Sequence, residues 1–212
     1  MKRKGAFITL EGNEGCGKST QAKLLCDSLR RRGRRVFLTR EPGGTRVGDE
    51  IRRVLLDRRH ASMSALCETL LYMASRAELT EQVILPRLKR GDVVVCDRWL
   101  DSTVAYQGYA RDLDVRWIRE LGRVVTRGLK PDLSLYLDLP VAVGLRRRAQ
   151  GRKPDRIESK SLVYHEKVRR GFLMIAAAEP RRFKRLAIAP AESAGIVQAR
   201  IRAEVDRVLR RR

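Results

Sequence analysis

A glycine-rich stretch, EGNEGCGKSTQ at residues 11–21, follows the apolar run at residues 6–10 and contains the pattern G-x-x-x-x-G-K-S. Glycines at this spacing let the backbone wrap a phosphate group, so that N–H groups and the N-terminus of the following helix face the anion. Lys18 would then reach the transferable phosphate, and the Ser19 hydroxyl would take one position around Mg²⁺. The sequence therefore predicts a nucleotide-binding loop. Its predicted members are Gly12, Asn13, Glu14, Gly15, Cys16, Gly17, Lys18, Ser19 and Thr20.

This phosphate loop carries one cation, Lys18, although phosphoryl transfer commonly uses several positive charges around the moving group. Further cations follow the next two predicted strands: Arg40 in TREPGGT, and Arg98, with Asp97 beside it, in VVVCDRW. Ligands of an open α/β sheet bind outside the carboxyl ends of its strands, so we expect these side chains beside the loop. Two arginines there can clamp a second phosphate group, and Asp97 can hold a metal-bound water. The pattern favours phosphoryl transfer to an acceptor that itself carries a phosphate.

Short apolar runs alternate with longer amphipathic stretches along the chain. The runs are continuous, as expected for parallel strands buried on both faces, and Gly33, Gly91 and Gly128 suit the ends of helices. The predicted strands are residues 6–10, 36–39, 93–96, 133–137 and 186–188. The predicted helices are residues 19–32, 47–56, 64–90, 114–126, 141–148, 158–179 and 194–209. This order predicts a doubly wound α/β fold, with a five-stranded parallel sheet flanked by helices, in one domain over residues 1–212.

The charge of the chain leaves two interpretations open. The 212 residues include 47 Lys and Arg against 25 Asp and Glu, a formal net charge of +22, which by itself favours a nucleic-acid-binding protein. The alternative is that arginine fills solvated helix faces, and it agrees with the dispersed basic runs and the aromatic content of only 5%. We favour this alternative and expect no specific nucleic-acid partner.

No apolar run approaches the ~20 residues that a membrane-spanning helix needs, so we expect no membrane partner. The four cysteines form no C-x-x-C pair: Cys16 lies in the phosphate loop, and the other three lie in apolar surroundings. This usage is typical of reduced thiols and predicts a cytoplasmic protein. His60 and His165 form no plausible ligand set, so both are predicted to be surface residues.

Five segments together resemble the thymidylate kinase family. They are LEGNEGCGKSTQ, TREPGGT, LLYMASRAE, DRWLDSTVAYQG and DRIE, in this order between residue 6 and about residue 183. The pair REPGG and DRxxxSTxAYQ is far more specific than the phosphate loop alone. The resemblance implies a P-loop nucleoside-monophosphate-kinase-like three-layer fold and, with Mg²⁺, transfer of the γ-phosphate of ATP to dTMP in dTTP synthesis. It also implies a homodimer.

The resemblance implies a site for the acceptor dTMP. By position, Arg40 and Arg98 would hold its phosphate. The ring of Tyr72 would stack on the pyrimidine, and Arg76, one helical turn further on the same face, would donate to a base carbonyl. The alternatives are a core aromatic for Tyr72 and an ordinary surface arginine for Arg76. Trp99 is assigned to packing rather than to chemistry.

The remaining motif positions would surround the base and the sugar. Thr103 would lie near the base edge, and Tyr106 and Gln107 near base and sugar. Glu14 matches a loop carboxylate that lies near the 3′-hydroxyl of the acceptor sugar, which would explain why a phosphate loop tolerates an acid. Ser102 either belongs to this site or caps the helix that runs through Tyr106.

The segment at about residues 146–157 resembles the lid that closes over ATP in this family. Members without a basic residue in the variable part of the phosphate loop carry arginines in the lid, and this sequence fits that form. Arg147 and Arg156 match commonly basic positions, whereas Arg148, Arg152 and Lys153 are extra or displaced; a charged, solvated loop is the alternative. The predicted catalytic residues are Lys18, Asp97, Arg98, Arg147 and Arg156, and the predicted metal-site residues are Ser19 and Asp97.

Two other functions stay open at this point. A kinase of a nucleoside or of another nucleoside monophosphate would share the phosphate loop. A nucleoside acceptor, however, would need a carboxylate base and no phosphate clamp, so the pair Arg40 and Arg98 argues against it. A basic nucleic-acid-binding ATPase would use the +22 charge to bind, and DNA or RNA would stimulate its ATPase activity.

Overall fold

The structure is a computed structural model of the chain and describes residues 5–150 and 153–210. Five parallel strands in this part form one sheet in the order β2-β3-β1-β4-β5. The strands are β1 (Phe7–Glu11), β2 (Val36–Arg40), β3 (Val93–Asp97), β4 (Leu133–Asp138) and β5 (Phe183–Ala187). The predicted α/β fold with a five-stranded parallel sheet is therefore confirmed.

Helices connect the strands and cover both faces of the sheet. They are α1 (Lys18–Arg31), α2 (Arg46–Leu56), α3 (Ala65–Leu79), α4 (Leu85–Lys89), α5 (Leu100–Thr103), α6 (Val115–Val125), α7 (Val141–Ala149), α8 (Leu162–Ala178) and α9 (Ala194–Arg210). A 3₁₀ turn covers Arg58–His60. A π-helical turn, Thr80–Ile84, joins α3 to α4, so the single helix predicted over residues 64–90 is continuous but not uniform. A second π-helical turn, Val104–Tyr109, extends α5 and includes Tyr106, through which a helix was expected to run.

The last strand starts at Phe183, three residues before its predicted start at residue 186. Because β5 lies at the edge of the sheet, only part of it is buried: Phe183 and Leu186 face the core, while Lys184 and Arg185 are more exposed. The two basic residues interrupt the apolar run that predicted the strand. Phe183 and Leu186 belong to apolar clusters on opposite faces of the sheet, and a strand at the edge tolerates charged residues between them, which explains the error.

Helix α8 begins at Leu162, later than the predicted start at residue 158. Ser161 is its N-cap, and the Ser161 hydroxyl accepts a hydrogen bond from the backbone N–H of Tyr164 at 3.2 Å. A turn precedes this cap, in which the Asp155 carboxylate accepts from the N–H groups of Ile157 and Glu158 at 2.9 and 3.0 Å. The end of the predicted lid is therefore held by local hydrogen bonds.

Apolar side chains fill the space on both sides of the sheet. On one side Ile8 and Leu10 of β1 pack in a cluster with Leu25 of α1 and Ile201 of α9. On the other side Phe172 of α8 belongs to a second cluster, which includes aromatic rings of β4 and β5. Burial on both faces is the reason that the central strands are continuous apolar runs in the sequence.

All four cysteines are free thiols; Cys16, Cys26 and Cys96 are buried, but Cys67 is exposed at the start of α3. The expectation of apolar surroundings is therefore wrong for Cys67. Among the helices of the described ranges, none is both long and apolar enough to cross a membrane.

The strand order places the site. β1 lies between β3 and β4. The connection after β1 therefore runs to one side of this strand, to β2, whereas the connection after β3 runs to its other side, to β4. In register, Asp97 at the end of β3 lies opposite Leu10 of β1 and Arg40 of β2. The loop after β1 and the side chains that end β2 and β3 therefore meet at one edge, which is where open α/β sheets bind ligands.

Candidate active site

A cleft of about 470 Å³ opens at this edge, along the carboxyl ends of β1, β2 and β3. The predicted site residues that line it are Glu14, Gly15, Gly17, Lys18, Ser19, Thr20, Arg40, Tyr72, Arg76, Asp97, Arg98, Thr103, Tyr106, Gln107 and Arg147. Gly12, Asn13 and Cys16 form the buried part of the phosphate loop. The cleft thus brings together groups predicted for a nucleotide donor and groups predicted for a phosphorylated acceptor.

The phosphate loop is packed against α7 through two glycines. Gly15 has a φ of 68°, and a Cβ built on it would lie 1.9 Å from the carbonyl oxygen of Gly144. Lys18 lies over the loop, with Nζ donating to the carbonyl of Asn13 at 2.7 Å. Because α1 begins at Lys18, the unpaired N–H groups and the positive end of its dipole lie at the loop, as a phosphate site requires.

Ser19 and Asp97 form the predicted metal position. The Ser19 hydroxyl donates to a carboxylate oxygen of Asp97 at 2.5 Å, although the two residues belong to α1 and β3. A hydroxyl and a carboxylate offer the oxygen ligands that Mg²⁺ prefers, with phosphate oxygens and waters completing the shell. Within the described ranges no group of three or more His, Cys, Asp or Glu could hold a metal.

Arg98 joins the phosphate loop to the acceptor end of the cleft. Its backbone has a φ of 73°, a left-handed conformation that costs a non-glycine residue about 1–2 kcal/mol. Its guanidinium donates to the carbonyl of Gly12 at 2.8 Å and to a carboxylate oxygen of Glu14 at 2.9 Å, and lies 5.0 Å from the ring centroid of Tyr106. Strain at a residue so firmly held is typical of a functional position.

Ser102 does not cap the helix, because Trp99 occupies the N-cap position of α5. The Ser102 hydroxyl donates to Glu11 Oε2 at 2.6 Å and accepts from Arg98 at 3.2 Å. Burial and the nearby Asp101 raise the pKa of Glu11 to about 8. Ser102 therefore belongs to the hydrogen-bond network beneath the site.

Glu14 lies at the centre of this network. Its Oε1 accepts from Arg98 and from the Tyr106 hydroxyl, the latter at 2.6 Å, and its Oε2 lies 3.2 Å from Nδ1 of His165. Burial alone would raise the pKa of Glu14, but Arg98, His165 and Lys18 outweigh it and hold the pKa well below its usual value. The predicted surface position of His165 is wrong, since its side chain is 0% exposed, whereas His60 is exposed as predicted.

A helical pattern in the sequence could have placed His165 correctly. His165 lies on the same face of α8 as Val168, Phe172 and Ile175, all of which are buried. These residues follow the spacing of three and four that marks the inner face of a helix. A histidine on that face is a buried polar group, which needs a partner.

Arg76 is fully buried and held by a carboxylate, so it is not an ordinary surface arginine. Its Nε and one Nη donate to Glu41 Oε2 at 2.9 and 2.6 Å, and the same Nη donates to the Thr103 hydroxyl at 3.0 Å. Burial, which outweighs the attraction of Arg76, raises the pKa of Glu41 to about 7. Both residues line the cleft, so donors are fixed at its far end.

Tyr72 and Trp99 lie in different surroundings, one in the cleft and the other in the core, as the sequence suggests. Tyr72 is half-buried and lines the cleft, which argues against a core aromatic. Trp99 is fully buried and packs edge-on against Phe7, with ring centroids 5.1 Å apart. Gln107 also lines the cleft, and its amide donates to Glu68 at 2.8 Å. A planar ligand can therefore lie beside Tyr72, with polar groups around its edge.

Arg40 is exposed at the end of β2, and its guanidinium lies 3.4 Å from Asp49. A further arginine, Arg52 of α2, lines the cleft and donates to the carbonyl of Pro42 at 2.9 Å. Burial and the nearby Arg40 lower the pKa of Arg52. Arg52 was not among the predicted site residues, because it belongs to a helix rich in arginine, where composition does not separate a solvated side chain from an inward one.

The two lid arginines lie in different surroundings. Arg147 is exposed, lines the cleft and donates to the carbonyl of Pro190 at 2.7 Å. Arg156 is buried; it donates to the carbonyl of Leu55 at 2.7 Å and forms an ion pair with Glu68 at 2.5 Å. Arg156 was predicted to face the transferred phosphate, but it does not line the cleft and contacts Glu68 instead. Arg148, expected to be extra or displaced, lines the cleft, while Arg152 lies outside the described residues.

The fold and the cleft define a class of enzyme. A phosphate loop after the central strand faces a second anion site, built from arginines at the ends of neighbouring strands, and a pocket with an aromatic side chain. This combination is that of a P-loop kinase acting on nucleoside monophosphates.

The chain belongs to the thymidylate kinase family, whose sequence model matches residues 10–201. The thymidylate kinase of Synechococcus sp. (strain JA-2-3B'a(2-13)) is 51% identical over 191 residues, which cover 89% of this chain and 90% of that protein. The thymidylate kinase of Citrifermentans bemidjiense is 48% identical over 185 residues, covering 84% of this chain and 82% of that protein. The crystal structure of thymidylate kinase from Ehrlichia chaffeensis matches with a TM-score of 0.78 at 30% identity, covering 95% of this chain and 98% of that chain.

Proposed function

We propose that this chain transfers the γ-phosphate of ATP to dTMP, giving dTDP and ADP, as a step in dTTP synthesis. The observation that carries the proposal is the position of Arg98, which joins the phosphate loop to the pocket lined by Tyr72 and Arg76. A nucleotide on the loop and a monophosphate on Arg98 would meet within one cleft. In-line transfer needs this proximity.

On the donor side, Lys18 and the N-terminus of α1 would hold the β- and γ-phosphates of ATP. Ser19 and Asp97 would hold Mg²⁺ directly or through water. When bound, Mg²⁺ neutralises charge on the phosphate oxygens. Lys18 would exchange its contact with the Asn13 carbonyl for a phosphate oxygen, which costs little because its ammonium is flexible.

On the acceptor side, Arg40, Arg52 and Arg98 surround the space for the phosphate of dTMP. A dianionic phosphate is already a nucleophile, so the site needs positioning and charge neutralisation rather than a general base. Glu14 fits this scheme, because its low pKa keeps it ionised and unable to donate a proton. Its carboxylate would accept a hydrogen bond from the neutral 3′-hydroxyl of the acceptor sugar.

Recognition of the base would come from Tyr72, Arg76, Thr103 and Gln107. The ring of Tyr72 offers a stacking surface for the pyrimidine, and Arg76, fixed by Glu41, offers donors to a base carbonyl. Thr103 is fixed by the same guanidinium. Because these donors are held before the ligand arrives, little ordering is needed on binding.

The lid, residues 146–157, would supply the cations that the phosphate loop lacks. Arg147 and Arg148 line the cleft, and closure of the lid would bring them toward the transferred phosphate. Arg156 would act differently: its ion pair with Glu68 would anchor the end of the lid to α3. We assign charge neutralisation to the first two and anchoring to the third.

We further propose a homodimer in the cytoplasm. Leu66 and Leu70 of α3 and Val54 of α2 are large apolar side chains that remain 41–50% exposed on packed neighbouring helices. A second copy of the chain would cover this face. Free thiols and phosphorylated small-molecule substrates suit a cytoplasmic enzyme.

A coupled assay of ADP production tests the proposed reaction. Purified protein receives Mg·ATP with dTMP, dUMP, dCMP, AMP or an oligonucleotide in separate arms. We expect turnover that depends on dTMP, is lower with the other monophosphates and is indifferent to the oligonucleotide. Stimulation by the oligonucleotide but not by dTMP would instead identify a nucleic-acid-dependent ATPase, for which the charge of +22 would be the binding surface.

A further inference from the structure

His165 contacts two consecutive residues of the phosphate loop, although it lies on α8, far along the chain. Its backbone carbonyl accepts a hydrogen bond from the side-chain amide of Asn13 at 2.9 Å. Its imidazole Nδ1 lies 3.2 Å from Glu14 Oε2. The side chain is completely buried, and its ring packs edge-on against Tyr164 at a centroid distance of 5.3 Å. One residue of α8 therefore borders the variable part of the loop on two sides.

The two oxygens of Glu14 have different surroundings. Oε1 accepts hydrogen bonds from Arg98 and Tyr106, which belong to the acceptor end of the cleft. Oε2 faces His165, and neither this oxygen nor the two imidazole nitrogens has a well-aligned hydrogen-bond partner among the described residues. The imidazole is the polar group in contact with this buried oxygen and fills the space beside it, so it limits how the carboxylate can turn.

We propose that His165 is a positioning residue that fixes the Glu14 carboxylate toward the acceptor sugar, and thereby makes the enzyme prefer acceptors that carry a 3′-hydroxyl. The inference rests on the proposed function, in which Glu14 accepts from that hydroxyl. His165 itself does not line the cleft, so it acts through Glu14 and not on the substrate.

The physical argument is a competition for Glu14. Without the imidazole, Oε2 loses its nearest donor, and the carboxylate can turn toward Arg98, which already contacts Oε1. A bidentate pair of Glu14 with Arg98 is favourable because a carboxylate matches the guanidinium fork. That rotation would withdraw an acceptor oxygen from the sugar. For a substrate without a 3′-hydroxyl, this rotation would leave kcat/KM unchanged.

The test compares dTMP with 3′-deoxythymidine monophosphate, which lacks the hydroxyl. We measure kcat and KM for both acceptors with the wild type, with His165→Phe, which keeps a ring but has no donor, and with His165→Asn, whose amide nitrogen can replace Nδ1. His60→Asn is the matched control, because His60 is the other histidine of the chain and is exposed outside the cleft.

We expect His165→Phe to lower the ratio of kcat/KM for dTMP to kcat/KM for the 3′-deoxy acceptor by about 3- to 10-fold, the range expected for the loss of one modest polar contact. His165→Asn should recover most of the ratio, and His60→Asn should keep the wild-type ratio. In a double-mutant cycle, Glu14→Gln with His165→Phe should lower the ratio no further than Glu14→Gln alone.

An equal loss with both acceptors in His165→Phe would overturn the proposal, because it would show a merely structural histidine. Additive effects in the double-mutant cycle would overturn it too. If His165→Phe does not fold, as judged by circular dichroism, His165→Leu is smaller and gives the same readings. The proposed function is judged separately by the wild-type arm: without dTMP-dependent turnover there, that function fails before any His165 variant is considered.

Discussion

The donor end of the cleft is one continuous segment, residues 12–20, whereas the acceptor end combines side chains from β2, α2, α3, β3 and the π-helical turn after α5. At the donor end the backbone would do most of the binding, and glycines with positive φ angles shape that backbone. At the acceptor end buried carboxylates hold arginines in place: Glu14 holds Arg98 and Glu41 holds Arg76. We therefore expect activity to be lost at the acceptor end when single side chains are removed, and at the donor end when backbone contacts are disturbed.

Replacement of Arg98 should have the largest effect on activity among the changes at the acceptor end. Arg98→Ala should lower kcat/KM for dTMP by about 10³-fold, because the guanidinium contacts the loop, lines the cleft and is proposed to hold the acceptor phosphate. The far-ultraviolet circular dichroism spectrum should stay that of the wild type. Arg98→Lys is the matched variant: it keeps the charge but loses the fork, so we expect a smaller loss. An Arg98→Ala enzyme with normal dTMP turnover would remove the acceptor clamp.

The lid offers a matched pair, Arg156 and Arg147. Arg156→Ala should lower the free energy of unfolding by about 3 kcal/mol, because Glu68 is fully buried and loses its closest cation. Arg147→Ala should leave that free energy unchanged, since the side chain is exposed, and should lower kcat about 10-fold or more. Urea denaturation and steady-state kinetics of both variants give the comparison. If Arg156→Ala kept the wild-type free energy of unfolding but lost kcat, Arg156 would have the predicted role at the transferred phosphate and not an anchoring role.

The buried carboxylate beneath the base pocket should make stability depend on pH. The pKa of Glu41 is raised from 4.5 to about 7, chiefly by burial, so the folded state keeps a proton that the unfolded chain releases. The free energy of unfolding therefore falls as the pH rises from about 4.5 to about 7, by about 3 kcal/mol for this group. In Glu41→Gln this part of the fall should vanish.

Urea denaturation at intervals across this pH window checks the effect of Glu41. The slope against pH is the reading, because Glu41→Gln also removes the charge partner of Arg76 and lowers stability at every pH. Glu50→Gln, which changes an exposed carboxylate of α2, should keep the wild-type slope. An unchanged slope in Glu41→Gln would mean that another group titrates there.

The donor end should lose activity when the packing of its backbone is disturbed. A Cβ on Gly15 would lie 1.9 Å from the Gly144 carbonyl oxygen, whereas a Cβ on Gly17 would meet nothing within 4 Å. Both glycines have positive φ, so the two alanine variants share that strain and differ in the contact. We expect Gly15→Ala to lower kcat/KM for ATP about 10- to 100-fold, and Gly17→Ala to lower it less. Equal losses would show that the contact with α7 does not matter.

The sequence predicted the continuous end of the site better than the assembled end. The phosphate loop is one motif beside one strand, so its residues could be named without knowing the fold. Tyr106 and Gln107 of the π-helical turn could also be named, because they belong to a contiguous motif. Arg52 and His165 belong to no such motif; helical periodicity could have placed His165 on the inner face of α8, but not beside the phosphate loop. Their roles depend on which face of α2 or α8 turns inward, which is set by packing.

The sequence by itself determined the order of strands and helices, the phosphate loop and the resemblance to thymidylate kinases. Local periodicity and contiguous motifs carry that information, since they need no distant partner. Only the tertiary structure decided how the arginines divide: Arg98 and Arg147 face the cleft, while Arg156 is buried against Glu68. Guanidinium groups are alike in the sequence, and the burial of a carboxylate beside one of them separates an anchor from a ligand contact.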